Sequence, residues 1–136
     1  MKTLVVYYSY TGHTKNIANQ LAERESADIA EIKDVSRPGK FKAFTMGCFA
    51  AVTGKAWPIE APGEDLSAYD RLILLSPVWA GNPPPAVNAF INILPEGKNI
   101  AVKMVSSGGE SNCENRLKAA IEARGCSQDG FENIKA

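Results

Sequence analysis

The chain has 136 residues and a formal net charge of zero, from 15 basic and 15 acidic side chains, a size that suits one domain around one core. No basic tract stands out, so nucleic acid is not an expected partner, and no apolar run approaches the ~20 residues of a membrane-spanning helix. Cys48, Cys113 and Cys126 have neither metal-ligand nor redox-pair spacing, and an odd number of thiols points to a reducing cytoplasm.

The opening MKTLVVYYSY has no small-residue cleavage site and reads as mature structure rather than a leader. Residues 3–8 are apolar on both pleat faces and predict a buried parallel strand. A helix follows, with Ile17, Ala18, Leu21 and Ala22 in one stripe. DIAEIKDV, residues 28–35, predicts a half-polar edge strand, and Pro38 and Gly39 break the chain after it. Phe41, Phe44, Cys48 and Val52 recur at helical spacing and are expected to face the sheet. A Pro- and Gly-rich loop, 55–65, leads to an apolar strand at 71–76. Pro83, Pro84 and Pro85 can open a helix, whose buried stripe is Val87, Phe90, Ile91 and Leu94. A strand is expected at 99–105, then a helix carrying Cys113, Leu117, Ala120 and Ile121, which Gly125 is placed to end. Residues 126–136 leave room for one short strand around 131–134. Strands alternating with helices predict an α/β domain with a parallel sheet, spanning 1–136 as a single domain.

Ligands of such a sheet bind beyond the carboxyl ends of its strands, at the switch point in strand order. Three loops there are unusual for connectors: SYTGHT (9–14), PVWAGNPPP (77–85) and SSGGESN (106–112). In the first, Ser9, Thr11 and Thr14 are uncharged donors and Gly12 lets the backbone approach an anion at a helix N-terminus; the plainer alternative is an N-capped turn. The segment contains neither GxxxxGK[ST] nor GxGxxG. In the second, Trp79 could stack on a planar ring or simply cover a sheet edge. In the third, paired glycines could admit a ligand close to the backbone.

Those three segments resemble the flavodoxins. SYTGHT matches the Ser/Thr-x-Thr-Gly-x-Thr phosphate loop at each defined position, YDRLILLSPVWAGNPPPAVNAFI looks like the third strand, ring loop and following helix, and VSSGGESN resembles the loop after the fourth strand. The similarity runs from residue 1 to about residue 125. It implies a flavodoxin-like open twisted parallel sheet of order 2-1-3-4-5 with helices on both faces, flavin mononucleotide (FMN) as cofactor, and electron transfer through it. It further implies that Ser9, Tyr10, Thr11, Gly12, His13 and Thr14 hold the phosphate. Pro77, Val78, Trp79, Ala80, Gly81 and Asn82 would line one side of the ring, and Ser106, Ser107, Gly108 and Gly109 the other. No catalytic side chain and no metal is implied.

Two departures stand out. The third loop has no aromatic residue, so either Trp57 or another aromatic covers the ring's outer face or that face stays open to a quinone or nicotinamide. An FMN-dependent NAD(P)H:quinone-type reductase is therefore the alternative to an electron carrier that serves a redox partner protein. The chain also stops where the family's fifth strand ends, so the final helix is expected to be missing. The apolar patch this would expose is expected to be covered in a symmetric homodimer. Other functions of the same topology fit poorly: a receiver domain needs an acidic pair after the first strand, and a low-molecular-weight phosphatase needs a cysteine-to-arginine spacing found at none of the three cysteines.

Overall fold

The computed structural model describes residues 2–35, 39 and 43–136, with side chains from 45 onward in the last segment. The strands are β1 (Thr3–Tyr7), β2 (Asp28–Glu31), β3 (Arg71–Pro77), β4 (Asn99–Ser106) and β5 (Ser127–Lys135), and the helices are α1 (His13–Glu25), α2 (Cys48–Thr53), α3 (Pro85–Ile91) and α4 (Glu114–Ala123). All five strands are parallel, in the order β2-β1-β3-β4-β5. The chain moves outward from β1 to β2 and then returns to the other side of β1, so the strand order reverses between β1 and β3. That reversal opens a crevice at their carboxyl ends.

The larger core lies on one face. Val87, Phe90 and Ile91 of α3 and Leu117 and Ile121 of α4 pack there on Leu4, Val6, Leu72, Leu74, Ile100, Val102 and Met104. On the opposite face, Ala18, Leu21 and Ala22 of α1 pack on Val5, Tyr7, Ile73, Leu75 and Ala101. β1, β3 and the first half of β4 are buried on both sides, which is why they read as apolar runs. Each large aliphatic side chain so buried contributes about 1.5–3 kcal/mol.

Three expectations change. The stripe Phe41, Phe44, Cys48 and Val52 does not face the sheet as a unit. Val52 is 53% exposed, with Met46 and Phe49 exposed as well, and Gly47, Ala50 and Ala51 are the buried positions. A π-helical turn, Ala43–Gly47, precedes α2 and takes more residues per turn, so periodicity counted across it points to the wrong side. Pro38, Phe41 and the Phe44 side chain lie outside the described residues.

β5 is nine residues long rather than a short segment at 131–134. A bulge places Gln128 opposite Ile100 and Gly130 opposite Ala101, with Asp129 as the extra residue. The strand is mostly polar, which hid it from a hydrophobicity reading.

The uncovered part of the sheet is not the expected apolar patch. Beyond the reach of α1, β4 and β5 present Lys103, whose ammonium meets Glu132 at 2.9 Å, and Arg71 meets Asp129 at 3.4 Å nearby. No helix follows β5 among the described residues. The large apolar side chains exposed among them are Val35, Met46, Phe49, Val52 and Ile93, none of them on this face.

Candidate functional site

The loops leaving β1, β3 and β4 meet over a cleft of about 200 Å³, lined by Thr11, His13, Thr14, Pro77, Val105, Ser106, Ser107 and Ala136. In the first loop, Ser9 is buried and its Oγ accepts the Gly12 N–H at 2.9 Å. Gly12 sits at the N-cap of α1 with φ 100°, a left-handed conformation suited to glycine. Space where its Cβ would lie is open to 4 Å. No side chain caps α1 and no acidic residue lies in its first turn. The plainer alternative of an N-capped turn is therefore not what forms. The helix instead brings uncommitted N–H donors and the positive end of its dipole to the cleft. Thr14 is buried beside them, while Thr11 and His13 are exposed. That donor set suits an anion.

The second loop is a tight reversal. Trp79 N–H donates to Asn82 O at 2.7 Å and Asn82 N–H to Trp79 O at 3.1 Å. Ala80 (φ 51°) and Gly81 (φ 81°) are both left-handed, the signature of a type I′ turn. Asn82 Nδ2 donates to Ala80 O at 3.0 Å. Pro77 lines the cleft, and Val78 packs on the larger core. Trp79 does not line the cleft. Its ring meets Tyr8 and Tyr10 edge-on, at centroid distances of 6.1 and 5.8 Å. It also presses on Gly47, where a Cβ would stand 2.6 Å from Trp79 Cζ3 and 3.4 Å from Trp57 Cη2. Trp57 therefore does arrive from the long loop before β3, but it joins this cluster.

The third loop is held by Ser106, whose Oγ accepts the N–H groups of Gly109 (2.9 Å) and Glu110 (3.3 Å). Ser107 lines the cleft, and Gly108 is exposed with open space around it. Gly109 packs closely on Lys135, whose Cβ would stand 3.1 Å from an added Cβ.

Sequence reasoning missed two residues. Asn112 donates its N–H to Gly81 O at 2.8 Å, and its side chain fills the space where a Gly81 Cβ would lie, 2.8 Å from Nδ2. It thereby ties the ring loop to the third loop; its place at the end of SSGGESN, just before α4, was the available signal. Arg116 donates to the carbonyls of Ala51 (2.7 Å) and Val52 (2.9 Å), fixing the end of α2. Beside the first loop, a second cavity of about 230 Å³ is lined by Tyr8, Ser9, Glu31, Ile32, Lys33 and Asp34. Burial pushes the Cys113 thiol up, so it stays protonated near neutral pH. Among the described residues no group of three or more His, Cys, Asp or Glu could hold a metal, and no helix is long and apolar enough to cross a membrane.

No protein-family model matches the chain. Among solved structures it is similar to a flavoprotein in complex with FMN from Lactobacillus acidophilus NCFM. That match has 20% identity and a TM-score of 0.77, and covers 96% of this chain and 91% of that one. Flavodoxin 1 from Bacillus cereus matches at 19% identity and TM-score 0.57, over 100% of this chain and 86% of that one. The Streptococcus pneumonia TIGR4 flavodoxin matches at 15% identity and TM-score 0.56, over 100% and 87%. The chain has the flavodoxin fold. Against that fold, the three loops described above stand at the carboxyl ends of β1, β3 and β4, the strands from which the resemblance drew its site residues.

Proposed function

We propose that the chain binds FMN at the cleft between these loops and passes electrons through it to a redox partner. The observation that carries the reading is the uncapped, acid-free N-terminus of α1, which meets two Gly/Ser-containing loops at the switch point of a parallel sheet. In this reading Ser9, Tyr10, Thr11, Gly12, His13 and Thr14 hold the phosphate, through the hydroxyls of Ser9, Thr11 and Thr14 and the N–H groups that open α1. Residues 77–82 take one side of the ring, with Trp79 backing this loop from among Tyr8, Tyr10 and Gly47, and 106–109 take the other. FMN, when bound, supplies the electron-carrying chemistry. The side chains orient it and exclude water, and among those lining the cleft His13 is the one ordinary acid–base group. The neighbour with FMN in its complex supports the cofactor, and the flavodoxins support electron transfer as its use.

The exposed Ser107 and Gly108 leave the third-loop side accessible, which favours direct reduction by a nicotinamide as the second reading. The three cysteines are free thiols, which suits the reducing cytoplasm proposed as its setting. The charged β4–β5 surface removes the reason for a homodimer on that face, and a monomer is the proposed state.

The experiment is a visible absorption spectrum after mixing the protein with FMN and desalting. Retained, shifted flavin bands are expected, and a colourless protein that leaves FMN fluorescence unchanged would overturn the reading. NADH oxidation with a quinone, without any added reductase, separates the second reading from the first.

A further inference from the structure

The chain of contacts that holds Trp79 begins outside the three loops. Beyond β2 the backbone pairs with the segment before β3: Glu60 N–H donates to Lys33 O at 2.8 Å and Val35 N–H to Pro58 O at 3.2 Å, with Asp34 bridged to Ile59 between them. Asp34 is therefore on an anchored stretch of backbone. Its Oδ2 accepts the Tyr8 hydroxyl at 2.6 Å, within the range for bonds to an ionised acceptor. The Tyr8 ring is 3% exposed and stands edge-on to Trp79 with an interplanar angle of 73°. Tyr10 meets the indole at 86°, and Gly47 lies against its benzo ring.

The bond at its hydroxyl helps to fix the tilt of the buried Tyr8 ring, which forms one wall around Trp79, and its loss loosens that wall. We infer that Asp34 is a positioning residue for the ring side of the site, acting through the Tyr8 hydroxyl to hold Trp79 against Gly47. The geometry stands by itself, while the ligand it serves rests on the FMN reading. Gly12 and Thr14 of the phosphate side stand at the N-terminus of α1 and take no part in this bond, so the effect is expected to be selective for the ring.

The test uses the full chain in a Trp57→Phe background, which leaves Trp79 as the remaining tryptophan of two. Tyr8→Phe and Asp34→Ala are expected to lower the near-ultraviolet circular dichroism of Trp79 by roughly half. They are also expected to weaken FMN binding about tenfold, the scale of a lost charge-assisted bond, while inorganic phosphate affinity stays constant. Asp34→Asn keeps an acceptor oxygen and should recover most of both signals. Thr14→Val should do the reverse, weakening phosphate and FMN together and leaving the Trp79 band. A Tyr8→Phe variant with the wild-type band and the wild-type ratio of FMN to phosphate affinity overturns the inference, as does an Asp34→Asn variant no better than Asp34→Ala. Should Asp34→Ala not fold, Tyr8→Phe, which lacks a single oxygen, decides the matter. Should the parent bind no FMN, the cofactor reading falls and the Trp79 band alone decides the positioning.

Discussion

The two faces of the sheet are built differently. Under α3 and α4 the inward positions of β1, β3 and β4 are apolar from Leu4 and Val6 to Met104, with the buried Ser76 as the exception at the end of β3. Under α1 the central positions Val5, Tyr7, Ile73, Leu75 and Ala101 are apolar, and charge begins at the margins: Arg71 faces Glu25 and Asp129, and Lys103 pairs with Glu132. Side-chain chemistry follows helix cover residue by residue. A parallel sheet in this chain is therefore not apolar because it is parallel, but only where something shields it from water.

The comparison can be broken most severely on the covered face. Phe90→Ala removes a fully buried aromatic ring and should cost about 3–5 kcal/mol in denaturant unfolding. A loss below about 1 kcal/mol would mean that the face packs loosely. Gly47→Ala should cost about 1–3 kcal/mol by overpacking, because its new Cβ meets Trp79 at 2.6 Å. A shift in the Trp79 emission maximum would accompany it.

A pH dependence belongs to the same face. The Tyr69 hydroxyl donates to Asp28 Oδ2 at 2.7 Å, and this bond together with burial raises the Tyr69 pKa from 10.0 to about 12. A folded pKa above the unfolded one means that the contribution is fully present below pH 10 and is lost as pH rises through about 12. Tyr69→Phe should flatten that alkaline decline in the unfolding midpoint. An unchanged alkaline limb would assign the decline to other groups.

The smallest effect is expected on the uncovered face. Lys103→Met breaks a pair whose carboxylate partner is more than half exposed, and such pairs contribute about 0–1 kcal/mol. Replacing both partners, Lys103→Leu with Glu132→Leu, sharpens the contrast by making the apolar patch that the natural sequence avoids. Light scattering should then show self-association at micromolar concentration, where the unaltered chain is expected to run as a monomer. A natural dimer that the double substitution does not strengthen would place its interface elsewhere.

Much of the fold was legible because it rests on local repetition. The apolar runs at 3–8, 71–76 and 99–105 marked the strands buried on both faces, and the stripes Val87–Phe90–Ile91 and Cys113–Leu117–Ile121 marked α3 and α4. β5 was harder to see, because charges replace the apolar alternation that identifies a strand. The α2 stripe was misread because a π-helical turn shifts the phase on which helical counting depends. At the site, Gly12 and the hydroxyl cluster suggested an anion loop, and Thr11, His13, Thr14, Pro77, Ser106 and Ser107 share one cleft.

By itself the sequence determined the element types, the alternation that makes a parallel sheet, and the need for a glycine where the first loop turns into α1, since periodicity and backbone preference act between near neighbours. The tertiary structure alone decided that Trp79 sits among Tyr8, Tyr10 and Gly47 rather than in the cleft. It also decided that Asn112 locks Gly81 and that Asp34 reaches Tyr8. Those contacts join residues 26 to 71 positions apart and depend on strand order, helix phase and side-chain rotamers together. No local pattern encodes that combination.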